Sequence, residues 1–91
     1  MALRVNFVRG TLKELQSLPE KHTRQIADKI SRLAADPASV PVKELKGGEG
    51  FFRAASGEYR IVFRIEGEEL EIWLIARRND DEVYRRFLRR R

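Results

Sequence analysis

The sequence predicts one α+β domain with the element order β-α-α-β-β-β-α, in which two N-terminal helices pack on a twisted antiparallel sheet and a helix follows at the C-terminus. Two observations predict this fold. Apolar residues recur at helical spacing between residues 11 and 36, and from Phe51 onward they alternate with polar residues as in β-strands. The 91 residues contain no internal repeat and no low-complexity linker, which is typical of a single domain.

The first half of the chain supplies one strand and two helices. Residues 2–8 alternate apolar and polar side chains, which predicts a half-buried strand. A short helix follows, because the next leucines lie three residues apart. We expect Ser17 to cap a second helix that begins at Pro19 and ends at Asp36–Pro37. Its core stripe consists of Ile26, Ile30, Leu33 and Ala34.

The second half supplies the remaining strands and the last helix. The predicted strands are a short one at Val42–Leu45 and three longer ones at Phe51–Ala55, Tyr59–Ile65 and Glu69–Ala76. We expect two-residue hairpin turns at Ser56–Gly57 and Glu66–Gly67. Asn79 or Asp80 should cap the last helix, which has acids in its first turn and arginines in its last.

These turn lengths predict which side chains share a face of the sheet. They pair Phe63 with Leu70, Ile61 with Ile72 and Tyr59 with Leu74, on an apolar face that should carry the helices. On the opposite face, which should be wet, Arg64 lies opposite Glu69, and Arg60 lies opposite both Arg53 and Trp73. The two arginines either hold an anion between them or are screened by water. Arg60 beside Trp73 makes either a cation–π contact or a phosphate site with a base platform.

Composition excludes several classes of protein. The chain has no cysteine and one histidine, which excludes thiol catalysis, cysteine-zinc sites and histidine-pair mechanisms. We expect no metal and no other cofactor. No apolar run approaches the roughly 18 residues that a membrane span needs, and the N-terminus lacks the apolar core of a signal peptide. We therefore expect a soluble cytoplasmic protein without a membrane partner.

Positive charge is concentrated at the C-terminal end. The net charge is +5, and residues 77–91 hold seven arginines and three acids. A solubilising tail and a polyanion-binding surface are both consistent with this distribution. Because every cation of this stretch is an arginine, and arginine binds phosphate bidentately and stacks on bases, the composition favours nucleic acid.

Arginine, lysine and tyrosine are the groups left for catalysis, since His22 is expected to be a surface or partly packed residue. One reaction can run on this set. In RNA the ribose 2′-OH is the nucleophile, so the protein need only align it with the phosphate, stabilise negative charge and help to move protons.

Three segments carry patterns that are specific to a family. Residues 57–63 (GEYRIVF) match a G-x-Y-R-hydrophobic strand, and residues 42–47 (VKELKG) are similar to a K-L-x-G motif. Residues 75–84 (IARRNDDEVY) match a final strand that ends in basic residues and leads into a helix with V-Y. With the predicted element order, the chain resembles the RelE branch of the RelE/ParE superfamily of prokaryotic toxins over essentially its whole length.

The resemblance implies a ribosome-dependent endoribonuclease that cuts mRNA in the ribosomal A site by 2′-OH attack. By position, Arg60 would stabilise the transition-state phosphate, and Arg78 would contact the phosphate and act as general acid. Tyr84 would orient the substrate, stack on a base or assist proton transfer, and Arg53 matches a basic residue of the first hairpin strand. The expected contacts with mRNA and the ribosome are Lys43, Lys46, Arg77, Arg85, Arg86, Arg89, Arg90 and Trp73.

One departure from the family pattern and two alternatives accompany this interpretation. A second lysine of the first hairpin strand, present in the best-known member of the family, aligns with Phe51. Two alternatives remain open. The chain is a ParE-like inhibitor of DNA gyrase that cleaves no RNA, or it is a degenerate member of the family that only binds its antitoxin. In each case the family implies a cognate antitoxin, which we expect to cover the basic sheet face or to displace the last helix.

Overall fold

Five strands and three α-helices follow one another in the computed structural model, which describes residues 2–45, 47 and 50–90. The elements are β1 (Arg4–Phe7), α1 (Thr11–Gln16), α2 (Glu20–Ala35), β2 (Val42–Glu44), β3 (Phe51–Ser56), β4 (Tyr59–Glu66), β5 (Glu69–Arg77) and α3 (Asp80–Arg90). The predicted α+β class is confirmed. Within the described part of the chain, no helix has the length and apolar content needed to cross a membrane.

The strands form one mixed sheet in the order β1-β5-β4-β3-β2. The meander from β2 to β5 is antiparallel, as predicted, but β1 pairs in parallel with β5, from Arg4 opposite Glu69 to Phe7 opposite Ile72. The expectation of an entirely antiparallel sheet is therefore wrong at this edge. Two helices and three strands separate β1 from β5 along the chain, and a long connection permits parallel pairing where a hairpin does not.

The helix boundaries follow local chemistry. Gly10 precedes α1 with φ +82, and the buried Thr11 hydroxyl donates to the Ile72 carbonyl at 2.9 Å, which fixes α1 on β5. Ser17 ends α1 and donates to the Glu14 carbonyl, so the prediction that it caps α2 is wrong. Asn79 caps α3, because its Oδ1 accepts the Glu82 N–H at 3.1 Å.

The sheet separates two apolar cores. On one face α1 and α2 cover the helix-side core, which contains Leu15, Ile26, Ile30, Leu33, Tyr59, Ile61, Phe63, Leu70, Ile72 and Ile75. On the other face α3 covers the α3-side core, which contains Leu45, Phe51, Val62, Leu74, Ala76, Val83 and Phe87. The second face is thus not the wet surface that alternation alone predicts, because the last helix folds back over part of it.

The hairpin turns lie one residue later than predicted. Ser56 pairs with Tyr59, and Glu66 pairs with Glu69, so each glycine is the first central residue of its turn. Gly57 and Gly67 have φ of +59 and +60. Two-residue hairpin turns require positive φ at that position, which explains the shift.

The shifted turns change the cross-strand partners. Phe63 lies opposite Ile72 rather than Leu70. Arg53 lies opposite Val62 rather than Arg60, and Arg64 lies opposite Glu71 rather than Glu69. The predicted direct pairing of Arg53 with Arg60 is therefore wrong.

A β-bulge in β5 changes the face of everything beyond it. Val62 pairs with Leu74 and Phe63 pairs with Ile72, which leaves Trp73 as an extra residue. Leu74 consequently packs in the α3-side core, although unbroken alternation predicts the helix side. Beyond the bulge, Tyr59 lies opposite Arg77 rather than Leu74.

We expect the helix-side core to dominate stability. Ile61 is 0% exposed and Ile65, on the same strand, is 37% exposed. Ile61→Ala should lower the free energy of unfolding by about 2–5 kcal/mol, and Ile65→Ala should lower it by about 1 kcal/mol or less. Urea denaturation of both variants measures the difference, and equal losses would contradict this account of the core.

Candidate functional site

Three basic side chains from consecutive strands line one groove. Lys43 of β2, Arg53 of β3 and Arg60 of β4 face an open groove of about 390 Å³, whose other lining residues are Pro41, Val42 and Ala55. None of these residues is acidic. The groove therefore concentrates positive charge beside small apolar surfaces, which suits a phosphate-containing ligand.

Strand register brings these three residues together. Lys43 lies directly opposite Arg53. Arg60 lies opposite Ala55, which follows Arg53 by two residues on β3 and therefore shares its face of the sheet. The helix α3 packs on β5 and on Phe51 at the start of β3, and it leaves the part of this face that holds the groove open. Like charges on neighbouring strands repel, so the arrangement favours binding of an anion between them.

Arg60 is held at the turn between β3 and β4. Its Nη1 donates to the carbonyls of Gly57 at 3.2 Å and Tyr59 at 3.0 Å. A guanidinium has five N–H donors, so these bonds fix the group while leaving donors for a phosphate.

Arg77 and Arg78 follow at the same end of the sheet. The exposed Arg77 side chain lies 5.8 Å from the Tyr59 ring and 3.8 Å from the Glu58 carboxylate, on the helix side of the sheet. Its neighbour Arg78 is also exposed, and the backbone N–H of Arg78 donates to the Glu58 carbonyl at 2.6 Å. Because side chains alternate along a strand, Arg77 does not share the groove face with Arg60, and Arg78 follows directly after the end of β5.

Tyr84 is positioned by a glycine. A methyl group at Gly47, which has φ +76, would lie 2.6 Å from the Tyr84 hydroxyl oxygen. The absence of a side chain at Gly47 thus lets the half-buried tyrosine of α3 reach the loop between β2 and β3. Tyr84 thereby lies on the same face of the sheet as the groove.

Trp73 lies away from Arg60, so the predicted pair of these residues is wrong. Arg60 lies opposite Ala76. The Trp73 ring is instead 5.5 Å from the Arg64 guanidinium and 5.9 Å from that of Arg9, and its Nε1 donates to Glu71. The bulge carries Trp73 into this separate cation–π cluster.

Phe51 belongs to the α3-side core. Its ring is 2% exposed and lies 4.6 Å from the Phe87 ring and 5.2 Å from the Trp73 ring. The position where the family pattern has a lysine therefore supports α3 in this chain.

The arginines of α3 divide into two sets. Arg85 and Arg89 are exposed, whereas Arg86 and Arg90 are ion-paired with the Glu14 carboxylate of α1. The hydrogen bonds from Arg90 to Glu14 raise the pKa of the Arg90 guanidinium above its ordinary value, against the lowering effect of its burial. Of the other predicted contacts, Lys46 lies outside the described residues.

Sequence reasoning missed Glu14 and the role of Gly47. Glu14 is one acid in a short leucine-spaced helix, and its arginine partners lie more than 70 residues away. No local signal could have found that contact. Gly47 belongs to the motif at residues 42–47, but the contact of Gly47 with Tyr84 depends on where α3 folds back.

Comparison with known families matches residues 6–82 to the model of the ParE toxin of type II toxin–antitoxin systems, parDE. The chain belongs to this family. The predicted membership of the RelE/ParE superfamily is confirmed, and the chain is a toxin of a type II toxin–antitoxin system. No curated protein matched in the corresponding comparison.

Solved structures resemble this toxin over most of its length. A mutant of the E. coli toxin RelE in the free state is 22% identical, with a TM-score of 0.76, and the match covers 99% of this chain and 98% of that one. The toxin is also similar to the archaeal RelE–RelB complex of Pyrococcus horikoshii (26% identity, TM-score 0.69, 87% and 98% covered). A chromosomal ParDE system of P. aeruginosa gives 16% identity and a TM-score of 0.69, with 86% and 98% covered.

We expect Gly47→Ala to displace Tyr84. Gly47 and Gly50 have φ of +76 and +75. Because residues with a Cβ atom are strained at such angles, alanine at either position should lower the free energy of unfolding by about 1–2 kcal/mol. Of these two positions, Gly47 is the one at which a methyl group would meet Tyr84, since nothing lies within 4 Å at Gly50. The ring resonances of Tyr84, measured by NMR, should shift in Gly47→Ala and stay in place in Gly50→Ala. Equal spectra would contradict the contact.

Proposed function

We propose that the toxin is a ribosome-dependent mRNA endoribonuclease that cuts mRNA in the ribosomal A site and inhibits translation. The observation that carries the proposal is the groove that Lys43, Arg53 and Arg60 line together. RNA offers such a groove a phosphate, and it brings its own nucleophile. The similarity to RelE structures supports the same reaction class.

In the proposed reaction, Arg53, Arg60 and Arg78 act on the scissile phosphate. The ribose 2′-OH attacks the adjacent phosphorus and loses its proton to water, the bond to the 5′-oxygen breaks, and that oxygen takes up a proton. The products are a 2′,3′-cyclic phosphate and a 5′-OH. Arg60 and Arg53 stabilise the charge that develops on the phosphoryl oxygens, as preorganised donors do. Arg78 contacts the same phosphate and supplies the proton to the leaving oxygen.

Tyr84 orients the substrate from the face of the sheet that also holds the groove. Its hydroxyl lies over Gly47, and its ring offers a surface for a base beside the scissile phosphate. The exposed Arg85 and Arg89 of α3, with Lys43 and Lys46, bind ribosomal or messenger phosphates and fix the orientation of the toxin. Because the metal-free reaction depends on positioning, the ribosome is needed to align the message.

A cognate antitoxin is the protein partner that we propose. Its acidic segment would cover the groove, because acidic side chains are complementary in charge to the three cations that line it. Acetylation of Lys43 by an amine-specific reagent, read by mass spectrometry, should fall about tenfold in the complex if the groove is covered. Equal modification of Lys43 in the free toxin and the complex would place the antitoxin elsewhere.

We expect Arg60→Ala, Arg78→Ala and Tyr84→Ala to lose cleavage while remaining folded. Removal of one preorganised donor typically costs about 10²–10³-fold in rate, which is the loss we expect for Arg60→Ala. Primer extension on an mRNA in a cell-free bacterial translation reaction, with and without ribosomes, measures the cuts. Circular dichroism checks the fold of each variant.

Two controls separate the site from general effects of charge and packing. Arg24→Ala removes one arginine from the exposed Glu20–Arg24 pair of α2, on the opposite side of the sheet. His22→Ala removes a ring that lies 5.1 Å from the Tyr59 ring on that same side. Both variants should cut like the unmodified toxin. Full activity of folded Arg60→Ala, Arg78→Ala and Tyr84→Ala would refute the site assignment.

Inhibition of DNA gyrase is the second candidate function. The match to the ParE family model favours it, as does Phe51, which contributes packing where RelE-type toxins have a lysine. A supercoiling assay with purified gyrase distinguishes the two. Loss of supercoiling together with an intact message would select gyrase inhibition, and ribosome-dependent cuts with normal supercoiling would select the nuclease.

A further inference from the structure

The Glu14 carboxylate joins three elements of the fold. It accepts two hydrogen bonds of 2.7 Å from Arg90 in a bidentate arrangement and one of 3.1 Å from Arg86, both residues of α3. It also accepts the backbone N–H of Ile75 in β5 at 3.3 Å. A residue of α1 therefore holds the last helix and the sheet at the same point.

This contact lies on the edge of β5 that faces β1, beyond the point where β1 ends. The pairing of β1 with β5 ends at Phe7 opposite Ile72. Beyond it, Arg90 donates to the Trp73 carbonyl at 3.2 Å, and Glu14 accepts from Ile75. The Glu14–Arg90 pair thus satisfies backbone groups of an open strand edge, which otherwise need water or another partner.

The pair is better shielded than the exposed Glu20–Arg24 pair of α2. The side chains of Glu14 and Arg90 are 19% and 20% exposed, whereas those of Glu20 and Arg24 are 85% and 76% exposed. Shielded bidentate arginine–carboxylate bonds resist screening by water and salt and have a fixed geometry. Loss of the Glu14 charge would leave Arg90 without its partner in a partly desolvated place.

The helix α3 depends on this contact because it buries little else. It has 11 residues, and among its described side chains only Val83 and Phe87 are buried. A helix of this length is marginal in isolation and is stable only where it packs on the rest of the protein. Tyr84 belongs to this helix, so the position of its hydroxyl over Gly47 follows from the docking of α3.

We propose that Glu14 is a positioning residue that docks α3 through Arg86 and Arg90 and thereby places Tyr84 over the groove face. Docking is a property of the fold, whereas the consequence for cleavage rests on the proposed nuclease function. The experiment therefore has one arm for each.

The first arm measures docking. Glu14→Gln keeps the shape of the side chain and removes its charge, and hydrogen exchange of the α3 amides is followed by mass spectrometry. Loss of the charge-assisted bonds should accelerate this exchange roughly tenfold, while amides of β3 and β4 keep their rates. Glu20→Gln, which removes an exposed carboxylate bonded to Arg24, is the matched control and should leave α3 unchanged.

The second arm measures coupling to Tyr84. Glu14→Gln should lower cleavage about tenfold, and this effect should largely vanish in the Tyr84→Phe background if Glu14 acts through that residue. An effect of equal size in both backgrounds would refute the positioning role, and unchanged α3 exchange would refute docking. If Glu14→Gln fails to fold, exchange in Arg86→Gln tests docking instead. If the unmodified toxin cuts no RNA, the nuclease proposal fails and the exchange arm still decides docking.

Discussion

The strand β5 contributes side chains to both apolar cores, and the bulge at Trp73 decides which side chain packs in which core. The position of α3 depends on this bulge. Before Trp73 its inward residues, such as Ile72, belong to the helix-side core, and the extra residue then turns Leu74 toward α3 while Ile75 returns to the helices. Without the bulge, Leu74 would not meet Val83. One inserted residue thus decides which side chains of β5 the C-terminal helix packs on.

The groove is what α3 leaves uncovered. The helix packs over β5, and the same face continues across β4 to β2 with the open groove. Burial of Lys43, Arg53 and Arg60 beneath a helix would carry a large desolvation penalty. They are tolerated at the open end, where water or a phosphate can solvate them, so the limited reach of a short helix separates the packing surface from the binding surface.

Local patterns predicted much of this fold because its elements obey local rules. The alternation around Tyr59–Ile65, the helical stripe of α2 and the Asn79 cap depend on residues close in sequence. The hairpin registers were missed because each glycine, and not the residue before it, takes the first central position of its turn. The sequence predicted the basic residues of the site but not which of them line the groove and which are engaged elsewhere. The bulge at Trp73 and the contact of Glu14 with Arg90 arise only when the strands and α3 are assembled.

Residue 51 links the charge of the site to the docking of the helix. Phe51 occupies the groove face of β3, two residues from Arg53, and its ring contacts Phe87 of α3. A lysine at this position would add a cation to the groove face. It would also place an aliphatic chain with an ammonium group beside Phe87 and remove an aromatic contact worth about 0.5–1.5 kcal/mol. With Phe51, α3 is held at its apolar centre by Phe87 and at its C-terminal end by Glu14. Phe51 thus contributes an aromatic contact to the docking of the helix that carries Tyr84, at a position where a lysine would contribute charge to the sheet face.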